Sequence, residues 1–240
     1  MNKIFIQGKD LRYNSEKSQL ESEYNNKKIV IPKEETLFQV KYNCEKIEDS
    51  AELAFFKKAG ITVKVLEEKE SEIICSHSRV QEEMIKWLKP KQTYNATVIG
   101  FDGNWMKLSI AGIITEVSYR EISSARMYGL DKFFEIGQNV VVKVIRIEKN
   151  SVFVSIKRAY PSLNSPLVRD EYDIGKIVRA RLTEPANEDG WFAEFTPAVC
   201  GIVDVYKPDI MAMLKPNMYV NVVVKKITPR GIRADLLEED

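Results

Sequence analysis

Three copies of one β-hairpin, set about 80 residues apart, constrain this chain more than anything in its composition. The middle copy is the clearest. Ile136-Gly137-Gln138-Asn139 turns into the alternating run Val140 to Ile147, and a polar turn, Glu148-Lys149-Asn150, follows. Ser151-Val152-Phe153-Val154-Ser155-Ile156 then returns, closed by Lys157-Arg158. Short β-branched runs on either side of a polar turn make a hairpin. Upstream, Ile61 to Leu66, the turn Glu67 to Glu70, and Glu72-Ile73-Ile74-Cys75-Ser76 repeat the passage. Ser76-His77-Ser78-Arg79 stands there where Ser155-Ile156-Lys157-Arg158 stands in the middle copy. Downstream, Pro216 to Val224, a turn around Pro229-Arg230, and Gly231 to Leu236 give the third copy. This period is too long for a solenoid unit and fits a small barrel.

Each hairpin follows a matching front half. In the middle copy, Thr93 to Phe101 reads as strand one and Asp102-Gly103 as a hairpin turn. Asn104 to Leu108 reads as strand two and Gly112 to Val117 as strand three. Tyr119-Arg120-Glu121-Ile122 starts a short helical connection. The third copy repeats this with Ile177 to Leu182, a loop through Asp189-Gly190, Trp191 to Thr196, and Gly201 to Val205. Five strands with a connecting segment between the third and fourth describe the oligonucleotide-binding (OB) barrel.

In the first copy, Lys28-Ile29-Val30-Ile31 reads as strand three. Asn14 to Asn26 is polar and charged, so strands one and two are expected to be short or altered. Val80, Met84, Ile85 and Leu88 recur at helical spacing until Pro90 ends the run, and Tyr160 to Pro166 reads as a linker. The expected chain is mainly β: tandem five-stranded OB-fold barrels with short connecting helices. The modules are a degenerate first one (1–77), a linker helix (78–90), a second (91–160), a linker (161–171) and a third (172–240). The middle module is expected to close as a barrel.

Composition narrows the function classes. Residues 1–89 balance at 16 basic and 16 acidic side chains, 90–160 carry 10 against 6, and 161–240 carry 10 against 13. Only the middle third thus offers the local positive field that a polyanion needs. Cys44, Cys75 and Cys200 are odd in number with no paired spacing, which reads as reduced thiols in a cytoplasmic protein. No apolar run approaches a membrane span of roughly 18 residues, and the N-terminal stretch lacks a secretion-signal pattern. His77 is the single histidine and no metal-ligand spacing exists, so neither metal nor cofactor is expected. No nucleophile elbow, phosphate loop or carboxylate cluster appears, so catalysis is not expected. Ile210-Met211-Ala212-Met213-Leu214 reads as core beneath the third barrel.

The ordered series of residues resembles a known family. Ser76-His77-Ser78-Arg79-Val80-Gln81-Glu82-Glu83 and Lys86-Trp87-Leu88-Lys89 look like the inter-module connector of the ribosomal S-one domain family, an RNA-binding barrel. The middle module is similar to that barrel over nearly its full length. The resemblance is carried by Asp102-Gly103-Asn104-Trp105-Met106, Gly112-Ile113, Val117, Tyr119-Arg120-Glu121-Ile122-Ser123, Gly137-Gln138, Val142-Lys143-Val144 and Ser155-Ile156-Lys157. The resemblance implies an RNA face made of outward residues on strands two, three and five, with two aromatics flanking the strand-two turn. Here the first place holds Asp102 and the second Trp105; in the third module they hold Asp189 and Phe192. Ser118 and Asp204 replace the residue that often follows strand three, and the family's strand-five arginine falls on Ser151.

Strand alternation reads the same face independently. Met106 and Leu108 inward leave Trp105 and Lys107 outward, and inward Val152 and Val154 leave Phe153 and Ser155 outward. Exposed aromatics amid cations suit base stacking and phosphate attraction. The candidates are therefore Trp105, Lys107, Tyr119, Arg120, Phe153, Lys157 and Arg158 in the middle module, with Phe192 in the third. Glu194 stands where Lys107 does and is expected to repel phosphate. The expected function is binding of single-stranded RNA with low sequence preference, chiefly through the middle module. The alternative is a degenerate OB-fold scaffold making protein contacts in a ribosome, transcription or RNA-processing assembly.

Overall fold

The computed structural model describes residues 3–36, 51–149, 151–187 and 190–237. Cys44, Asn150 and Asp189 lie outside the described residues. The chain is mainly β with short helices. It forms two compact units, residues 1–89 with 109–114 and 148–152, and residues 90–108, 115–147 and 153–240. No helix among the described residues is long and apolar enough to cross a membrane.

Strand one of the first module is split. β1 (Lys3–Ile6) and β2 (Arg12–Asn14) are separated by a 3-10 turn at Gly8–Asp10, and β3 (Gln19–Tyr24) and β4 (Lys27–Pro32) form a hairpin. Helix α1 (Ala51–Ala59) precedes the second hairpin, β5 (Ile61–Glu68) and β6 (Glu72–Ser76). The sheet runs β1-β5-β6-β4-β3-β2, so the two halves of the broken strand occupy its two edges. Gly8 sits at the break because a Cβ there would lie 2.2 Å from the Phe56 carbonyl oxygen of α1.

The polar stretch Asn14–Asn26 contains β3, which pairs with β4 along its whole length from Gln19↔Pro32 to Tyr24↔Lys27. Leu20 and Ser22 are its buried residues, so the alternation is real but carries a single apolar side chain inward. Asn25 and Asn26, at left-handed φ of 50° and 61°, make the turn, a backbone that asparagine tolerates. Ile4, Ile6, Ile29, Ile31, Phe56 and Val63 gather into the core beneath. Helix α2 (Ser78–Ile85) buries Val80, Gln81 and Ile85. Its Gln81 carboxamide donates to the Gly112 carbonyl and accepts the Ile114 amide at 3.0 Å.

The middle module comprises β7 (Thr93–Asp102), β8 (Trp105–Ile110), β9 (Ile113–Ser118), α3 (Tyr119–Ile122), β10 (Asn139–Glu148) and β11 (Ser151–Ser155). Its order is β11-β10-β7-β8-β9. That is the barrel's order left open, since β9 and β11 form edges among the described residues rather than closing as expected. The last groups of β11's return, the Ser155 hydroxyl (3.1 Å) and the Ile156 amide (2.8 Å), both donate to the Glu121 carbonyl. The free edge is thus secured to α3.

After α4 (Pro166–Arg169), the third module does close. β12 (Ile177–Asn187), β13 (Gly190–Thr196), β14 (Val199–Asp204), α5 (Pro208–Met213), β15 (Tyr219–Thr228) and β16 (Gly231–Leu236) form a barrel of order β12-β13-β14-β16-β15. β14 and β16 run parallel, as do β4 and β6. Gly201 makes the close approach possible, because a Cβ there would meet the Ile232 carbonyl oxygen at 2.0 Å. Ile210, Met211 and Leu214 pack on this core only in part and Met213 is exposed, so α5 is a half-buried cover rather than the core expected. A six-residue helix capping a barrel end cannot bury both of its faces.

The repeated Ser-x-x-Arg quartet has a structural reason. In the first module the His77 amide donates to the Glu35 carbonyl (2.9 Å), and Ser76 Oγ accepts the Arg79 amide (3.1 Å). Arg79 lies 3.8 Å from the Glu35 carboxylate. In the middle module the Ile156 amide reaches the Glu121 carbonyl, Ser155 Oγ accepts the Arg158 amide (3.1 Å), and Arg158 pairs with Glu121 at 2.9 Å. One clasp therefore fastens the end of strand five to the turn after strand three in both modules. The serine hydroxyl bends the chain out of the strand by offering its backbone a local partner.

His77 belongs to the first clasp through its backbone and to the core through its ring. The imidazole packs edge-on to Phe56 with centroids 5.0 Å apart, and its Nδ1–H donates to the Thr62 carbonyl at 3.1 Å. Burial holds its pKa down at about 4, outweighing the opposite pull of the Thr62 bond. In the unfolded chain the histidine, titrating at about 6.5, takes up the proton more readily. The contribution of His77 to stability is therefore complete above about pH 6.5 and is lost as pH falls toward 4, by about 3 kcal/mol in all. Urea melts at stepped pH should show this loss, and His77→Gln should flatten the slope across that window.

Candidate nucleic-acid interface

Of the residues nominated in the middle module, Tyr119, Arg120, Lys157 and Arg158 meet at α3. β7 and β8 join through a tight turn at Gly103 (φ 54°), and the Asn104 carbonyl accepts the Tyr119 amide at 2.8 Å. That bond sets the start of α3 beside the first residue of β8, Trp105, whose side chain is exposed (41%) while Met106 and Leu108 are fully buried. The Arg120 guanidinium lies 5.7 Å from the Tyr119 ring centroid, and its Nε–H donates to the Tyr119 hydroxyl at 3.2 Å. Lys157 Nζ donates to the Arg120 carbonyl, so its charge is held at the same corner.

Phe153 is half-buried on β11, with the Arg146 guanidinium 4.1 Å from its centroid. Arg146 was not anticipated, because strict alternation assigns it to the side of the buried Val142 and Val144, whereas it is exposed at the end of β10. Burial pushes the Glu121 carboxyl up, but the nearby Ser155 hydroxyl, the hydrogen bond from Arg158 and the charges of Lys157 and Arg158 more than reverse it. The carboxyl lies below its ordinary range. Arg158 is thus engaged in the clasp with Glu121.

Two residues expected to be outward and exposed are covered. Lys107 is buried, at 7% exposure, so it stands as no open cation beside Trp105. Ser155 is fully buried, because its hydroxyl is used by the clasp. Alternation assigns a side of the sheet, and whether that side is covered depends on what packs over it.

In the third module, Phe192 is half-buried with the Arg126 guanidinium 5.0 Å from its ring centroid, so its face is already stacked. Glu194 does not meet solvent. It is buried and forms an ion pair with Arg181, its cross-strand partner from β12. The Arg181 guanidinium also donates to the Phe133 carbonyl at 3.3 Å and lies 5.2 Å from the Phe134 centroid. Within this unit the strand-two face of the third barrel is therefore occupied by the segment that follows α3. The Ser124 amide adds a 2.8 Å bond to the Pro197 carbonyl. The signal in the sequence was the apolar group Met127, Leu130, Phe133 and Phe134, buried here but too long a connection to be needed by one barrel alone.

No protein-family model matches the sequence, and no curated protein matches it. Among solved structures the chain is similar to the a/eIF2alpha–aDim2p–rRNA complex from Pyrococcus horikoshii OT3. The identity is 21%, over 35% of this chain and 50% of that one, with a TM-score of 0.29. It is also similar to a multidomain protein with nucleic acid binding domains from Streptococcus pneumoniae, at 9% identity over 100% of this chain and 74% of that one, with a TM-score of 0.30. The chain spans half the length of the first. Likeness at these scores carries no weight for function, which rests on the side chains described above.

Arg181 and Glu194 make a buried pair whose separate loss leaves a charge without its partner, which is strongly destabilising. Glu194→Ala should lower the stability of the second unit by about 3–5 kcal/mol in denaturant melts. The double replacement Arg181→Met with Glu194→Leu should recover most of that loss.

Proposed function

We propose that this chain binds single-stranded RNA with low sequence preference, through the Trp105 face of its middle module, and without catalysis. The observation that carries the reading is an exposed indole whose preceding residue, Asn104, is bonded to the start of the helix that bears the Tyr119–Arg120 pair. Aromatic faces accept any base, and cations at Arg120, Arg146 and Lys157 supply attraction to phosphate in the one module with excess positive charge. The resemblance to the ribosomal S-one domain family supports the same assignment, and with it a cytoplasmic location.

One observation favours the second reading, a scaffold that binds protein. The strand-two face of the third barrel, which an RNA-binding module would offer to bases, already packs against polypeptide through Phe192 and the Arg181–Glu194 pair. The third module is therefore read as an anchor for the middle one.

Anisotropy titration of labelled oligoribonucleotides separates these readings. Trp105→Ala should weaken single-stranded RNA binding by about 1–3 kcal/mol without moving the melting temperature, whereas Phe192→Ala should leave the affinity of folded protein unchanged. About three phosphate contacts give a log–log salt slope near −2. Duplex RNA should bind more weakly, since paired bases cannot offer their faces to an indole. Equal binding of duplex and single strand, with no salt dependence, would favour the scaffold.

A further inference from the structure

A cleft of about 400 Å³ lies within the second unit, outside the Trp105 face. Gln138, just before β10, and Asn139 and Val141, at its start, form one side, and Arg179 of β12, Thr196 of β13 and Tyr219 of β15 form the other. The Arg181–Glu194 pair also lines it. Three features give the cleft a chemistry.

The first is a stack. The Arg179 guanidinium lies 4.6 Å from the centroid of Tyr219, a ring that is 55% exposed. The strand register places Arg179 opposite Asn221 and Arg181 opposite Tyr219, so Arg179 reaches the ring along the diagonal. A planar guanidinium on an aromatic ring extends a flat surface onto which a further ring can stack. The second is charge. Among the described residues Arg179 has no carboxylate partner. The one carboxylate lining the cleft, Glu194, is committed to Arg181. One guanidinium charge is left uncompensated.

The third is a bias toward donors. The Gln138 side-chain oxygen accepts the Glu135 amide at 3.0 Å, and the Asn139 oxygen accepts the Thr97 hydroxyl at 3.1 Å. Both carboxamides therefore keep their NH2 groups for another partner. A flat, apolar-faced ligand rich in acceptors and carrying negative charge matches all three features. The volume falls within the range of small-ligand sites.

We propose that this cleft is a nucleotide site. The base stacks on the Tyr219–Arg179 pair, and its carbonyls or phosphate meet Arg179 and the Gln138 and Asn139 amides. The nucleotide is read as one residue of the bound strand, a second contact beyond Trp105, and in that respect the inference rests on the RNA-binding function proposed above.

The test uses the full chain and four variants, Tyr219→Ala, Arg179→Ala, Arg179→Lys and Trp105→Ala, with melting curves on each. Ligands are a single-stranded 20-nucleotide RNA and the four nucleoside monophosphates. The expected result is that Tyr219→Ala and Arg179→Ala weaken RNA binding about tenfold or more while the melting temperature holds. Arg179→Lys, which keeps charge and loses the flat fork, should recover only part. If Trp105→Ala is silent while the cleft variants weaken RNA binding, the Trp105 face is misassigned and the cleft stands. Saturable monophosphate binding that Tyr219→Ala abolishes, with RNA affinity unmoved, supports the cleft and makes a free nucleotide its ligand. If neither Tyr219→Ala nor Arg179→Ala alters either ligand's binding, the nucleotide site is overturned, whatever Trp105→Ala does.

Discussion

The clasp between a glutamate after strand three and the quartet after strand five organises the first two modules. Taken singly its parts are modest. A net backbone hydrogen bond contributes about 1 kcal/mol and an exposed ion pair about as much or less. Its importance is topological. Glu35 meets His77 and Arg79, and Glu121 meets Ile156 and Arg158. Each clasp thereby fixes the return of a long hairpin against a strand laid down far earlier in the chain. The first module adds the β4–β6 parallel pairing. Among the described residues the middle module has no such strand pairing, and the clasp, with the Lys157–Arg120 bond, ties this edge to α3.

That role divides the cations of the middle module. Arg158 is spoken for by Glu121, and Lys157 is held through the Arg120 carbonyl while its charge also acts on Glu121. Arg120 lies along Tyr119, and Arg146 covers Phe153. Trp105 gains its position from the same framework, because the Asn104 carbonyl is bonded to the first residue of α3. An aromatic held by a rigid corner loses little freedom on stacking a base, which favours affinity over discrimination.

The third module closes its barrel without a described clasp, through the β14–β16 pairing and the glycine at Gly201 that permits it. Its outer face is given over to the buried Arg181–Glu194 pair and to Arg126 on Phe192. A buried pair of this kind constrains geometry more than it adds stability. The same strands, on the side toward Tyr219, present the donor-rich cleft. The Arg181–Glu194 pair borders that cleft, so the covered face and the cleft adjoin.

The strand positions and the hairpins were legible because alternation of β-branched residues is a local property, dictated by a backbone that points successive side chains to opposite faces. The sequence by itself determined the three repeats, the place of the connecting helix at Tyr119–Ile122, the inward Met106 and Leu108, and the outward Trp105. β3 was expected to be short or altered because Leu20 is the single large apolar residue on its buried side, and its full six residues are held by pairing with β4 rather than by pattern. Only the tertiary structure decided that Lys107 and Ser155 are covered, that the middle sheet stays open, and that Phe192 and Glu194 face protein. It also brought Arg179, Tyr219, Gln138 and Asn139 together. Periodicity says which side of a strand a residue takes. What lies over that side depends on segments such as Met127–Phe134, whose docking is long-range and leaves no periodic trace in the chain.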